Sequence, residues 1–252
     1  MSGFVEKNHI IRKVWGNGDT ILFIFAGASA EFALNKAVDW LYFTGKLPKD
    51  PLGRLFSTVA YARKIIFSEN SVAIKAIHQI TEIHKGVEKA RAAEIPDWAY
   101  RDVLYMLIDY SIRAFEIIEY GLSEKEKVAI FEVFKRVGLE MGIKDLPIDY
   151  VNWLVDREKH SKKDLIKSKY SKHLYKQYRI RLGLIRFLFL KQAQLMILPK
   201  EVIWLLGFKK ILWLSPIIKV YKWSKKMKIN NVIRNSILPA QYKQQILDLD
   251  RF

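Results

Sequence analysis

The sequence predicts an all-α protein, a single bundle of about ten helices whose C-terminal third is basic and amphipathic. Three observations carry this. Strand-like alternation of apolar and polar residues is absent, whereas apolar residues recur at helical spacing. Half of the 252 residues are hydrophobic, while only 12 are glycine and 7 proline, a composition that excludes collagen-like, low-complexity and disordered classes. No linker is long or polar enough to separate two domains. Residues 1–252 therefore read as one domain, with a core over about residues 15–200 and a basic, Trp-rich segment over about 200–235.

The elements follow from caps and breaks. Asn17-Gly18-Asp19 ends a short first helix, and Asp19 is placed to cap the next, expected to run to about Tyr42. That helix is apolar nearly all round and should be buried. Gly45 and Pro48 end it. Asp50 followed by Pro51 is a cap with proline in the first turn, opening a helix over about 51–67. Asn70 or Ser71 caps a helix to about 91, and Pro96 opens one to about Tyr120. Ser123 and Glu126 form a capping box, and the helix they start stops at Gly142. Leu146-Pro147 begins another. A long helix spans about Leu174 to Leu198, ended by Pro199, and shorter amphipathic pieces follow, broken at Pro216 and Pro239.

Charge is unevenly placed. Lys and Arg number 43 against 26 Asp and Glu, a formal charge of +17, and residues 157–234 hold 21 basic against 3 acidic residues. The rest of the chain is near neutral, so one segment faces an anionic partner. Within it Trp204, Trp213 and Trp223 lie among Lys209, Lys210, Lys219, Lys222, Lys225, Lys226 and Lys228. Aromatic rings beside amines suit a helix lying in a lipid headgroup layer. The alternative is a buried C-terminal helix pair with solvated lysines. Nucleic acid is not expected as a partner, because lysine dominates over arginine and no recognisable binding module is present. Met1 to Trp15 lacks the apolar stretch of a secretory signal. No run of 18 uninterrupted apolar residues predicts a transmembrane helix. The expected place is inside the cell, peripheral to a membrane.

No cysteine is present, which excludes disulfides, iron–sulfur clusters and thiolate ligation. Any transition-metal or haem site must draw on five histidines. Ala73, Ile77, Ile80, His84 and Val87 form one helical stripe facing the core, with His78 off it. A histidine on such a stripe is either a core residue satisfied by a neighbour or a metal ligand, since haem iron needs only one. With no second histidine on the stripe, a zinc site of three or four protein ligands is not expected. Arg54 and Thr58 are four apart and share a helical face. Together they suit a carboxylate, or Arg54 pairs with Asp50. Ala26 to Ala30 are five small residues, leaving room for a flat ligand or a close helix crossing. Glu31 follows inside the apolar stretch, where a lone carboxylate is costly unless paired. It is a partner for a basic core residue such as Arg54, or a proton acceptor. Asp109 and Arg113 are spaced as a helical ion pair.

Taken in order, AGASAEFAL (26–34), TGKLPKDPLGRLFST (44–58), IHKGV (83–87) and IPDWAYRD (95–102), the last followed by an apolar helix, resemble the catalytic domain shared by rubber oxygenase (latex-clearing protein) and the fungal mpaB-type endoplasmic-reticulum oxygenases. The likeness covers about residues 15–200. It implies a globin-like bundle holding haem b, with His84 as the proximal iron ligand. Arg54 and Thr58 would lie beside the porphyrin, with Arg54 available to a propionate or a distal group. It implies O2 and a lipophilic, isoprenoid-type substrate whose carbon–carbon double bond is cleaved; Arg54, and Glu31 as the proton acceptor its apolar setting suggests, are the candidate catalytic residues. Two positions depart from the family's pattern. Rubber-cleaving relatives place a lysine before the threonine, where this chain has Ser57, and many members carry a histidine where Val103 to Tyr110 has none. Two competing readings are a non-catalytic membrane-surface protein of the same fold and a haem sensor or electron carrier.

Overall fold

The computed structural model describes residues 3–45 and 49–209. Among the described residues there are ten helices: α1 (Ile10–Trp15), α2 (Gly18–Phe32), α3 (Val38–Phe43), α4 (Pro51–Phe67), α5 (Asn70–Arg91), α6 (Asp97–Ile118), α7 (Glu124–Glu140), α8 (Tyr150–Asp164), α9 (Lys169–Ile197) and α10 (Lys200–Leu206). The described residues contain no strand beyond two isolated bridges, Gly3 with Glu69 and Asn35 with Leu165. The architecture is all-α, as the periodicity requires.

Most starts follow the cap chemistry. Asp50 accepts the amide of Gly53 ahead of Pro51, and Ser123 and Glu126 close a reciprocal capping box. At α2 the cap is Asn17, whose side chain accepts from Asp19 and Thr20, so Asp19 sits in the first turn instead. Asp149, two residues beyond Pro147, caps α8. The α9 helix begins earlier than its apolar face does, because Ser168 and Ser171 form a second capping box. At Gly183 (φ 72°, ψ 170°) α9 is kinked; only glycine adopts that backbone region freely.

The single helix expected to reach Tyr42 is two. After Phe32 the chain turns, and α3 starts at Val38. The cause is Asn35. Its side-chain oxygen accepts the Ala37 amide and its amide donates to Asp102 at 2.6 Å, a local bond that competes with the helix. The turn is held from outside as well, since Lys36 N–H donates to Asp164 O and Ile166 N–H to Leu34 O.

The core is centred on α2, which packs on α6 and α9. Gly27 is the closest point. A Cβ there would lie 2.3 Å from the Tyr110 ring, so the small residues of 26–30 serve a close crossing. Trp15, fully buried, donates its indole N–H to Ser111 Oγ at 3.0 Å. A smaller cluster of Ala33, Val38, Leu174 and Tyr178 ties α3 to α9.

No helix among the described residues is long and apolar enough to cross a membrane. Trp204 is 79% exposed. Trp213, Trp223 and the lysines from Lys210 onward lie outside the described residues.

Candidate active site

One cavity of about 280 Å³ opens between α2, α4, α5 and α6. It is lined mainly by apolar side chains. The polar side chains on its wall include Ser29, Arg54, Ser57, Thr58, Tyr61, His84, Tyr100 and Tyr178. It thus brings together three of the four residues singled out in the sequence: Arg54, Thr58 and His84. The small residues contribute twice, because Ala28 and Ser29 face the cavity while Gly27 meets Tyr110.

His84 reaches the wall because α5 keeps its register. Ala73 and Ile77 are fully buried, and His84 lies on the same stripe two to three turns on, half-buried at the cavity. His78 is off the stripe, exposed, and paired with Glu140 at 2.8 Å. The His84 ring meets Tyr100 edge-on, with centroids 5.1 Å apart. Tyr100 is itself held, its hydroxyl donating to Glu88 at 3.1 Å, and Glu88 also accepts the Ile95 amide. His84 Nδ1 is buried and has no hydrogen-bond partner. Burial, helped by the positive charge of Arg54 and opposed by Glu88, depresses the imidazole pKa to about 4. At neutral pH the ring is uncharged, which is the form that ligates a metal.

Burial also pulls the Arg54 pKa down. Among the described residues Arg54 forms no ion pair, the expected one with Asp50 included, and the neighbour that favours its charge is Tyr61. Ser57 and Thr58 turn their hydroxyls back onto their own helix, both donating to the Arg54 carbonyl at 2.8 and 3.2 Å. The cavity therefore presents a neutral imidazole and a guanidinium with no counter-charge against an apolar wall. An uncharged imidazole whose buried Nδ1 has no partner, beside an arginine on an apolar wall, fits a metal-containing cofactor with an anionic edge.

Glu31 lies elsewhere. It is 1% exposed and does not line the cavity. Its partner is Arg157 of α8, not Arg54. Both carboxylate oxygens accept from Arg157 at 2.6 Å, and Tyr110 adds a third bond of 2.6 Å. Arg157 continues to Asp109 at 3.2 Å, and Arg113 holds Asp109 at 2.6 Å in the ion pair its spacing predicts. Burial alone would lower the Arg157 pKa, but Glu31 and Asp109 overcome it and hold the guanidinium well above its ordinary value. Both oxygens of Glu31 are engaged, so the carboxylate is tied to α6 and α8 and not presented to the cavity. The sequence offered no sign of Arg157 as its partner other than the spacing Tyr150, Trp153, Arg157. Tyr61 and Tyr100, also on the wall, carried no signal of their own.

An all-α domain that sets a neutral histidine and an unpaired arginine on one apolar cavity is a helical binding bundle suited to a metal-containing group. The catalytic-domain family described as ER-bound oxygenase mpaB/B'/rubber oxygenase matches residues 12–152, more than half of the chain, and the chain belongs to that family. It is an oxidoreductase of the oxygenase type. No curated protein and no solved structure matches the chain.

Proposed function

We propose that this chain is a haem b-dependent oxygenase that cleaves a carbon–carbon double bond of a lipophilic, isoprenoid-type substrate with O2. The observation that carries the reading is the buried, unpartnered Nδ1 of an uncharged His84 on an apolar cavity that also holds Arg54. His84 would hold the iron, and Arg54 would take a propionate. Haem when bound would supply dioxygen binding and activation, and both oxygen atoms end in the two carbonyl products, so no net electrons are drawn from the protein. The remaining work belongs to the protein. The apolar wall excludes water and accepts a hydrocarbon chain, and the Tyr100–Glu88 bond keeps the imidazole oriented. Thr58 and Ser57 donate hydrogen bonds to the Arg54 carbonyl, which turns both hydroxyls towards their own helix.

Working at a membrane surface is part of the proposal. Ile180, Leu184, Ile185 and Leu188 of α9 are exposed, and Arg181, Arg186 and Lys191 lie among them in the chain. Such a face favours an anionic bilayer from which a lipophilic substrate is drawn.

Pyridine haemochrome quantification of protein expressed with ample haem tests the cofactor. About one haem b per chain is expected, retained in His78→Ala and lost in His84→Ala. A folded, colourless protein that takes up no added haem would overturn the reading.

A further inference from the structure

Away from the cavity wall, α8 carries Asp156, His160 and Asp164 at four-residue spacing, hence on one face. Asp102 of α6 meets them. His160 sits at the centre: its Nδ1 contacts Asp102 Oδ1 in a close hydrogen bond and lies 3.4 Å from Asp164 Oδ2. The ligand atoms of Asp102, His160 and Asp164 all fall within 4.8 Å of one another. We propose that these three residues form a divalent-cation site, taking a first-row ion of the Zn²⁺ type.

Four features point to an ion and not merely to an ion pair. Asp164 is 3% exposed, and its Oδ2, aimed at His160, has no hydrogen-bond partner. A buried carboxylate oxygen in that state is costly. Asp102 is oriented from behind, because its other oxygen accepts from Asn35 at 2.6 Å, leaving Oδ1 to the site. The far side of the imidazole is also furnished: Nε2 faces Asp156 Oδ2 at 3.6 Å, and that same oxygen accepts from Tyr105 at 2.7 Å. A carboxylate on the second ring nitrogen is the usual support of a metal-bound histidine.

Finally, the spacing is right. With Zn–N and Zn–O bonds of about 2.0–2.2 Å, ligand atoms of a tetrahedral ion sit roughly 3.4 Å apart. The His160–Asp164 separation has that length, whereas the Asp102–His160 hydrogen bond is too close to hold an ion between its two atoms and has to open by about 1 Å. One imidazole with two carboxylates suits Zn²⁺ better than Mg²⁺ or Ca²⁺, which take oxygen alone. A dication would also offset the buried negative charge of Asp102 and Asp164. It would clamp α6, α8 and the Asn35 turn, at a place distinct from His84.

The test uses the tag-free full chain, treated with a chelator, dialysed and titrated with ZnCl₂ by calorimetry. One Zn²⁺ per chain is expected, with a rise in Tm, and the same uptake in His84→Ala and His78→Ala. Asp164→Asn should abolish it, and Asp156→Asn should weaken it roughly 10–100-fold. Because Asp164→Asn alters a buried site, an imidazole ¹⁵N spectrum of the unmodified protein supplies a second readout. Zinc should move His160 Nδ1 to the metal-bound position while Nε2 keeps its proton. No zinc uptake, uptake that survives in folded Asp164→Asn, or an unchanged His160 signal would overturn the site and leave a proton-bridged histidine–carboxylate cluster.

Discussion

Arg157 grips Glu31 through two hydrogen bonds of 2.6 Å across 126 residues of sequence. The pair joins α8 to the last turn of α2, with the Arg157 side chain 9% and the Glu31 side chain 1% exposed. Removing one partner leaves the other charged and buried. Arg157→Met should therefore cost about 3–5 kcal/mol of stability, measured by chemical denaturation. Combining it with Glu31→Gln should cost less than the sum of the two single changes. Additive losses would show that the two groups do not stabilise each other.

Gly27→Val should destabilise the protein by at least about 1–3 kcal/mol, since a Cβ at position 27 enters the Tyr110 ring. Gly86 provides the contrast. It lies in α5 with nothing within 4 Å of its Cβ position, so Gly86→Ala should add about 0.5–1 kcal/mol. Thermal or urea midpoints of the two variants check the pair of signs.

Ser57 shares the cavity wall with His84, and its hydroxyl is no substitute for an amine ligand. With haem bound, the ferric protein should be largely high-spin at neutral pH. Ser57→Lys should shift it towards a low-spin, six-coordinate state. Electron paramagnetic resonance reads both. A low-spin signal already present in the unmodified protein and unchanged in Ser57→Lys would contradict the expectation.

His9 makes stability depend on pH. Its Nδ1 accepts the Ile11 amide and caps α1, which requires an unprotonated nitrogen. Burial lowers its pKa below the ordinary 6.5, with Glu6 opposing and Arg136 adding to the effect. As pH falls below about 6.5 the unfolded chain takes up the proton first, so stability declines until the folded pKa is passed. Above that range both states are neutral and the contribution is flat. His9→Ser keeps a capping oxygen without titrating. Between pH 7.5 and 5 it should lose less stability than the unmodified protein, as followed by denaturant midpoints.

Liposome flotation should depend on anionic lipid and fall with salt. Each basic residue that reaches the surface contributes about 1 kcal/mol. Apolar anchoring by Trp204, which is exposed, resists screening, so binding should fall without vanishing. Equal binding to neutral and anionic vesicles would remove the electrostatic part.

Helix number, the α4 start at Asp50-Pro51, the Ser123–Glu126 box and the inward face of His84 were all legible in the sequence, because each depends on residues within one or two turns. The break at Asn35 was not. Its side chain answers Asp102, 67 residues away, and nothing local marks that bond. The α8 face was hidden for a different reason. Tyr150, Trp153, Arg157, His160 and Asp164 follow the spacing of a buried stripe, but three of the five are polar, so a search for apolar periodicity passes over them. The need of Glu31 for a basic partner is legible in its apolar surroundings, but which residue answers is not, because Arg157 lies 126 residues away. Arg54, Thr58 and His84 were found to share a cavity that the sequence could suggest only through their order.

The grip of Arg157 on Glu31 also sets a timetable. The family match ends at residue 152, five residues before the guanidinium that Glu31 needs. A nascent chain leaving the ribosome presents α2 and α6 before α8 emerges, and until then the Glu31 carboxylate has no guanidinium to pair with. Closure around Glu31 therefore waits on α8. A fragment cut at the matched boundary should remain a partly open intermediate, exposed to proteases and chaperones.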